Sequence, residues 1–163
     1  MWYVSIAIKN LNMKKRKMNK IESKINFYKE NLDCFDDTMD KYKYLLDKGR
    51  ASKPFPEEYR KDNFKVSGCQ SQVWFVPKYD KDDNILDFHS DSDAFLSKGM
   101  ITILTDIYGD NTPQSILDSD FELLRTLKLD SLLTQGRRDG VYSMLKKVKE
   151  YAEIFSKATV NAE

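Results

Sequence analysis

Cysteine and histidine are scarce in this chain of 163 residues, which contains two cysteines and one histidine. Cys34 and Cys69 are 35 positions apart, so they lack the spacing of a disulfide framework or of a thiol–disulfide oxidoreductase. Together with His89 they show no C-x-x-C or H-x-x-x-H pattern, and an iron–sulfur cluster needs about four thiolate ligands. The scarcity therefore argues against a metal or redox centre built by this chain alone, and it favours a reducing compartment such as the cytoplasm.

Long hydrophobic runs are also missing. No apolar stretch approaches the ~20 residues that a membrane span requires, so we expect no membrane partner. The apolar segment 1–8 is too short for the hydrophobic region of a signal peptide, and its charges follow it instead of preceding it. Residues 1–21 contain no acid, which leaves an organellar location, plastid-like or mitochondrial, open as the alternative to the cytoplasm.

The net charge of +1 hides an uneven distribution of charged residues. Residues 1–29 hold eight basic residues and one acid, and the remaining residues hold 19 basic and 25 acidic ones. The basic run Lys14–Lys17 lacks the interleaved aromatics of a nucleic-acid site, so we interpret it as a solvated segment. We predict a basic, flexible N-terminal extension over 1–18, a single domain over 19–158 and a C-terminal tail over 159–163.

Hydrophobic spacing and turn residues predict an α+β fold, in which a small three-stranded antiparallel sheet is flanked by N- and C-terminal helices. We expect the strands at "FKV", "QVWFV" and "ILDFH", the last two joined as a hairpin. Ser92 is the predicted N-cap of the helix that follows, with Asp93 in its first turn. The segment "LTQGRRDG" is predicted to be a loop before the last helix. The other predicted helices are 19–30, a helix from Asp36 or Asp37 to Gly49, two short helices within 112–127, and 141–155.

Cys69 stands out because of its neighbours in "VSGCQSQVW". It lies at the bend between the first strand and the hairpin, and Gly68 permits backbone angles there that other residues resist. Gln70 and Ser71 add polar side chains, a poor setting for packing in a core. A reactive thiol needs help to ionise, and most lone cysteines are small buried hydrophobes. The residues alone leave both readings of Cys69 open.

The same stretch closely resembles the signature of the SufE family, the sulfur-acceptor proteins of iron–sulfur cluster assembly. Four further segments resemble family motifs in the same order, and the resemblance spans roughly residues 36–153. These segments are "DKYKYLLDKGR", "DSDAFLSKGM", "YGDNTPQSIL" and "LLTQGRRDGVYSM". The resemblance implies a small α+β fold related to the iron–sulfur scaffold proteins.

The resemblance also implies a partner, a cysteine desulfurase that holds pyridoxal phosphate and forms a persulfide on its own cysteine. Cys69 would accept the outer sulfur of that persulfide, stimulate the desulfurase and deliver sulfur to a scaffold of the SufBCD type. No cofactor would be bound by this chain. Arg137 matches the family's arginine near the cysteine loop, and we expect it to help hold that loop or steer the thiolate. Asp93 matches an acid near the surface that meets the desulfurase. Homodimer formation stays open.

Two other classes of function remain. In the first, the protein activates the desulfurase allosterically without a covalent step, and Cys69 is structural. In the second, it is a standalone sulfurtransferase with a small-molecule donor. The leading interpretation is an accessory protein for sulfur transfer, which is not an enzyme that acts independently of its partner.

Overall fold

A computed structural model describes residues 18–161, in which helices surround one antiparallel hairpin. The predicted α+β class is confirmed. Short 3-10 turns occupy parts of the connections, at Glu57–Tyr59, Asp62–Phe64, Phe121–Leu127 and Leu129–Leu132. The main elements are α1 (Lys20–Asp33), α2 (Thr38–Arg50), β1 (Val73–Asp80), β2 (Ile85–Ser92), α3 (Phe95–Tyr108), α4 (Pro113–Leu117) and α5 (Gln135–Val160).

The sheet has two strands in the part of the chain that the structure describes, and the prediction of three was wrong. β1 and β2 pair in register from Val73 opposite Ser92 to Asp80 opposite Ile85. The predicted strand at 64–66 is reduced to a single bridge between Lys65 and Trp74. Phe64 belongs to a 3-10 turn and the chain turns again directly after Val66, so one residue pair is all that can form.

Helices α1 and α2 follow from their caps and their spacing. Asn19 caps α1, accepting a hydrogen bond from the Glu22 amide at 2.8 Å, and the Glu22 side chain completes a capping box. Asp37 caps α2 through the Met39 amide at 2.9 Å. The buried face of α1 repeats every three to four residues. Its members are Ile21, Ile25, Tyr28 and Leu32.

Helix α3 forms the centre of the core, packing against α1, α2, α5 and β2. It begins at Phe95, so the predicted N-cap at Ser92 was wrong. Ser92 pairs with Val73 as the last residue of β2, and Asp93 lies between the strand and the helix. Pairing with β1 keeps the chain extended up to Ser92, which delays the start of the helix.

Helix α5 begins at Gln135, so "LTQGRRDG" is not a loop, and the predicted helix start at 141 was wrong by almost two turns. The helix ends at Val160, whereas the predicted C-terminal tail begins at 159. The predicted extension 1–18 lies, except for Met18, outside the described residues. Within residues 18–161, no helix is both long enough and apolar enough to cross a membrane.

Candidate functional site

Cys69 lies on a short loop between the Lys65–Trp74 bridge and the start of β1. Gly68 has a φ angle of +88°, a conformation that side-chain-bearing residues rarely adopt, which confirms the expectation of unusual backbone angles there. Gly68 and Gln70 are exposed, and the side chain of Cys69 is half-buried between them. The loop therefore turns the thiol inward while its flanking residues face solvent.

The loop rests on the first two turns of α5, where glycines leave room for it. The Sγ atom of Cys69 lies 3.7 Å from the carbonyl oxygen of Gly140, and a Cβ at Gly140 would be 3.4 Å from that sulfur. The side chain of Gln70 fills the space that a Cβ of Gly136 would need. These two glycines, one helical turn apart, therefore form the seat of the cysteine loop.

The thiol borders a small cavity with a mainly apolar wall. Its volume is about 10 Å³, room for about one water molecule. Burial raises the pKa of Cys69 above its ordinary value, because a thiolate loses hydration there. The thiol is therefore protonated and sheltered in this conformation. The apolar lining residues are Leu96, Met100, Leu133, Val141 and Met144.

Arg137 also lines this cavity, although it lies in the first turn of α5 and not in a loop. Its Nη1 atom is buried and has no hydrogen-bond partner among the described residues. A guanidinium donor left free beside a thiol is suited to stabilise a thiolate, because a charged acceptor makes the stronger hydrogen bond. The structure thus brings Arg137 to the cysteine, and its role in steering the thiolate stays a prediction.

Polar contacts hold the downstream end of the cysteine loop. The Ser71 hydroxyl donates to the Ser97 hydroxyl at 2.6 Å. The Gln72 amide donates to the Asp93 carboxylate at 2.9 Å, and the Ser92 hydroxyl donates to the Gln72 carbonyl at 2.7 Å. Asp93 is exposed and binds the loop backbone, so it remains accessible to a partner while it also fixes the loop.

Other chemistry-bearing residues lie away from this loop. Cys34 is exposed at the C-terminal end of α1. His89 lies within β2, stacked on Tyr59, and does not line the cavity beside Cys69. Residues 18–161 contain no group of three or more Cys, His, Asp and Glu side chains placed to hold a metal ion.

Sequence reasoning missed Ser97 and the glycine seat on α5. Ser97 carries no local signal, because its role depends on contact with Ser71, 26 positions earlier. Gly136 and Gly140 carry one signal, their four-residue spacing beside a helical pattern, although glycines near a helix start more often indicate a loop.

Comparisons with known proteins agree on the family. The family described as "SufE: Fe-S metabolism associated domain" matches residues 27–152. The cysteine desulfuration protein SufE of Wigglesworthia glossinidia brevipalpis is 34% identical over 136 residues, which cover 83% of this chain and 93% of that protein. An uncharacterised SufE-like protein of Rhizobium etli is 34% identical over 122 residues, covering 73% and 82% of the two chains.

A solved structure supports the fold. The solution structure of a hypothetical protein from Thermus thermophilus superposes with a TM-score of 0.65 and 15% identity. The match covers 82% of this chain and 96% of that one. The fold and the site together define a class of small α+β proteins that carry a cysteine on a loop packed against a helix. The chain belongs to the SufE family.

Proposed function

We propose that this protein accepts sulfur from a cysteine desulfurase as a persulfide on Cys69 and passes it to an iron–sulfur cluster scaffold. One observation carries the proposal. The thiol lies on a loop that contains a glycine with positive φ, and no second cysteine or metal-binding group adjoins it in residues 18–161. Such a thiol needs a reaction partner from another molecule. The Wigglesworthia relative, named a cysteine desulfuration protein, indicates what kind of partner that is.

The proposed chemical step is exchange at sulfur. The Cys69 thiolate attacks the outer sulfur of the desulfurase persulfide, and a new sulfur–sulfur bond forms on Cys69. The old sulfur–sulfur bond breaks, and the desulfurase cysteine leaves as a thiolate that takes up the proton lost from Cys69. No external oxidant or reductant is needed, because one persulfide replaces another.

We call the observed conformation, in which Cys69 packs against α5, the closed loop. Its shelter of the thiol supports the proposal that the protein carries sulfur and reacts only with its proper partner. In the closed conformation, burial keeps the Cys69 thiol protonated by raising its pKa, and the protonated form is a poor nucleophile. Turning the loop outward at Gly68 removes that burial, so the pKa of Cys69 falls towards its ordinary value and thiolate becomes available. Arg137 lines the closed cavity, where its free Nη1 donor is suited to stabilise the charged form as the loop leaves or returns.

The partner surface proposed for the desulfurase surrounds the loop. Asp93 is exposed beside the loop. Phe95, two residues later at the start of α3, is 55% exposed. An exposed aromatic side chain near an accessible carboxylate is suited to an interface in which the partner presents an apolar centre surrounded by basic residues. Pyridoxal phosphate would belong to that partner. The scaffold that receives the sulfur would be of the SufBCD type, and the setting a reducing compartment such as the cytoplasm.

The test combines a purified cysteine desulfurase from the same source with its cysteine substrate and a reductant. Cys69→Ser should abolish the stimulation of sulfide release, because the variant cannot accept sulfur. Cys34→Ser is the matched control and should stimulate as the unmodified protein does, because Cys34 lies at the C-terminal end of α1 and does not line the cavity beside Cys69.

Stimulation by Cys69→Ser would overturn the proposal and favour the non-covalent activator. Turnover of thiosulfate by this protein alone would instead support a standalone sulfurtransferase.

A further inference from the structure

We propose that Ser97 is a positioning residue that anchors the downstream end of the cysteine loop through Ser71, so that only residues 67–70 move when Cys69 turns outward. This inference rests on the proposed function of Cys69. It assigns Ser97 a role in placing the thiol for sulfur transfer, and it divides the loop into a moving part and a fixed part.

The anchor is built on α3, more than half of whose residues are buried. Ser97 lies in the first turn of α3 and is buried, and its hydroxyl oxygen accepts the Ser71 hydroxyl at 2.6 Å. The Ser92 hydroxyl, also buried, lies 3.5 Å from that of Ser71. The bond between Ser71 and Ser97 is costly to break, because the buried hydroxyl of Ser97 would lose its partner without gaining water.

An ionic contact fixes the supports of this anchor to each other. Lys98, next to Ser97, places its Nζ atom 3.2 Å from the buried carboxylate of Asp91, next to Ser92. Arg60 binds the other oxygen of the same carboxylate. The end of β2 and the first turn of α3 are thereby joined, and the two hydroxyls that face Ser71 keep a constant separation.

The upstream end of the loop is fixed as well. The amide of Val66 donates to the carbonyl of Val73 at 2.8 Å, beside the Lys65–Trp74 bridge. Residues 67–70, which lie between Val66 and Ser71, have no backbone hydrogen bond to the hairpin. Gly68 lies within this segment and supplies the angles for a rotation.

Anchoring at Ser71 limits how far the thiol travels. Cys69 is two residues from the anchor, and consecutive Cα atoms are about 3.8 Å apart, so its sulfur stays within about 10 Å of the Ser71 Cα. Without the bond to Ser97, the loop would be held only from Gln72 onward, through Asp93 and Ser92, and this limit would grow by about 3.5 Å. A tighter range raises the fraction of open conformations in which the sulfur meets the partner persulfide.

The experiment compares Ser97→Ala, Ser97→Thr and a matched control, Thr102→Ala, all in a Cys34→Ser background. The Thr102 hydroxyl lies on the same helix and bonds within it, to the carbonyl of Lys98 at 2.6 Å, so it has no bond to the loop. Two measurements need no desulfurase: the rate of Cys69 alkylation by iodoacetamide and amide hydrogen exchange at Gln72. A third is the rate of persulfide transfer from the desulfurase at saturating and limiting concentrations.

We expect Ser97→Ala to raise the alkylation rate roughly three- to tenfold, because residue 71, once released, adds open conformations in which the thiol is exposed, and to speed exchange at Gln72. The maximal rate of persulfide transfer should fall several-fold while the concentration for half-maximal rate is unchanged. A purely structural loss would not move these rates in opposite directions. Ser97→Thr should restore all three values, and Thr102→Ala should match the unmodified protein.

Equal alkylation and exchange in Ser97→Ala and the unmodified protein would overturn the proposal, as would the same changes in Thr102→Ala. Unchanged persulfide transfer would overturn the positioning role. If Ser97→Ala does not fold, Ser71→Ala removes the other hydroxyl of the same hydrogen bond, at a half-buried position. This variant must then show the same increases in alkylation rate and in exchange at Gln72. Absence of a persulfide on Cys69 in the unmodified protein would refute the proposed function, while the alkylation and exchange results would still decide the anchor.

Discussion

Replacing Gly68 by alanine should open the cysteine loop. Gly68 has a φ angle of +88°, and an L-residue held at positive φ costs roughly 1–2 kcal/mol. The new Cβ would also lie 2.6 Å from the Ser143 hydroxyl oxygen on α5, so that this side chain must move. Both effects raise the free energy of the closed loop, and neither applies once residues 67–70 have turned away from α5.

The reactivity of the thiol converts this free energy into a rate. If Cys69 reacts only from the open loop, its alkylation rate is the intrinsic rate multiplied by the fraction of open molecules. A loss of about 1–2 kcal/mol from the closed state raises that fraction about 5- to 30-fold. Gly68→Ala should therefore be alkylated faster by this factor in a Cys34→Ser background, with thiol loss followed by mass spectrometry.

Ser143 provides the means to separate the two causes. Ser143→Ala removes the clashing oxygen and leaves the next contact, Cβ of residue 143, at an ordinary 3.6 Å. Ser143→Ala alone should react as the unmodified protein, and the double variant should retain the part of the increase that arises from φ. A folded Gly68→Ala protein whose Cys69 reacts no faster than that of the unmodified protein would refute the hinge at Gly68.

Three further predictions concern the site and its support. Because burial raises the pKa of Cys69, its alkylation rate in the free protein should reach half of its maximum at a pH above the value of about 8.5 that is typical of a free thiol. A midpoint at or below that pH would contradict the burial of the thiol in the free protein. Gly99→Ala should lower the free energy of unfolding by about 3 kcal/mol in urea, because its Cβ would overlap the backbone carbonyl of Leu45 where α2 and α3 cross; a loss below about 1 kcal/mol would contradict this close approach. Burial opposes ionisation of Asp91, but hydrogen bonds from Arg60, the Ser92 backbone and Lys98 outweigh it and lower its pKa. This stabilisation is present above the ordinary carboxyl pKa and is lost as the pH falls below about 4 towards the pKa of the folded state. Asp91→Asn should therefore lower the free energy of unfolding by about 1–3 kcal/mol at pH 7 and by little at the lowest pH at which the protein is folded. An equal loss at both pH values would contradict the ionic contact.

Local signals in the sequence were sufficient where a segment is held by its own residues. The cap residues Asn19 and Asp37 lie directly before the helices that they begin, and the apolar spacing of α1 matches its buried face. The β-branched and aromatic residues of β1 indicated the hairpin, and glycine before Cys69 indicated the positive φ angle. The motif around Cys69 also led to the family, which the comparisons confirm.

The errors arose where distant contacts decide the structure. Ser92 has the chemistry of an N-cap, but pairing with Val73 holds it in β2. Gly136 and Gly140 resemble helix breakers, yet both lie in α5. A Cβ at Gly136 would displace the side chain of Gln70, and a Cβ at Gly140 would touch the sulfur of Cys69 at 3.4 Å. Helix propensity alone gives glycine a cost of about 1 kcal/mol at such positions, and it contains no term for a loop that arrives from about 70 residues away. For this reason the sequence predicts a loop at Arg137, although this residue lies in the first turn of α5.

Mass spectrometry can show directly whether Cys69 accepts sulfur. The peptide that contains Cys69 is analysed after incubation with desulfurase and cysteine and rapid trapping with an alkylating agent. We expect one added sulfur atom on Cys69 and none on Cys34, with the addition lost when cysteine is omitted. Stimulated desulfurase without added sulfur on Cys69 would contradict it.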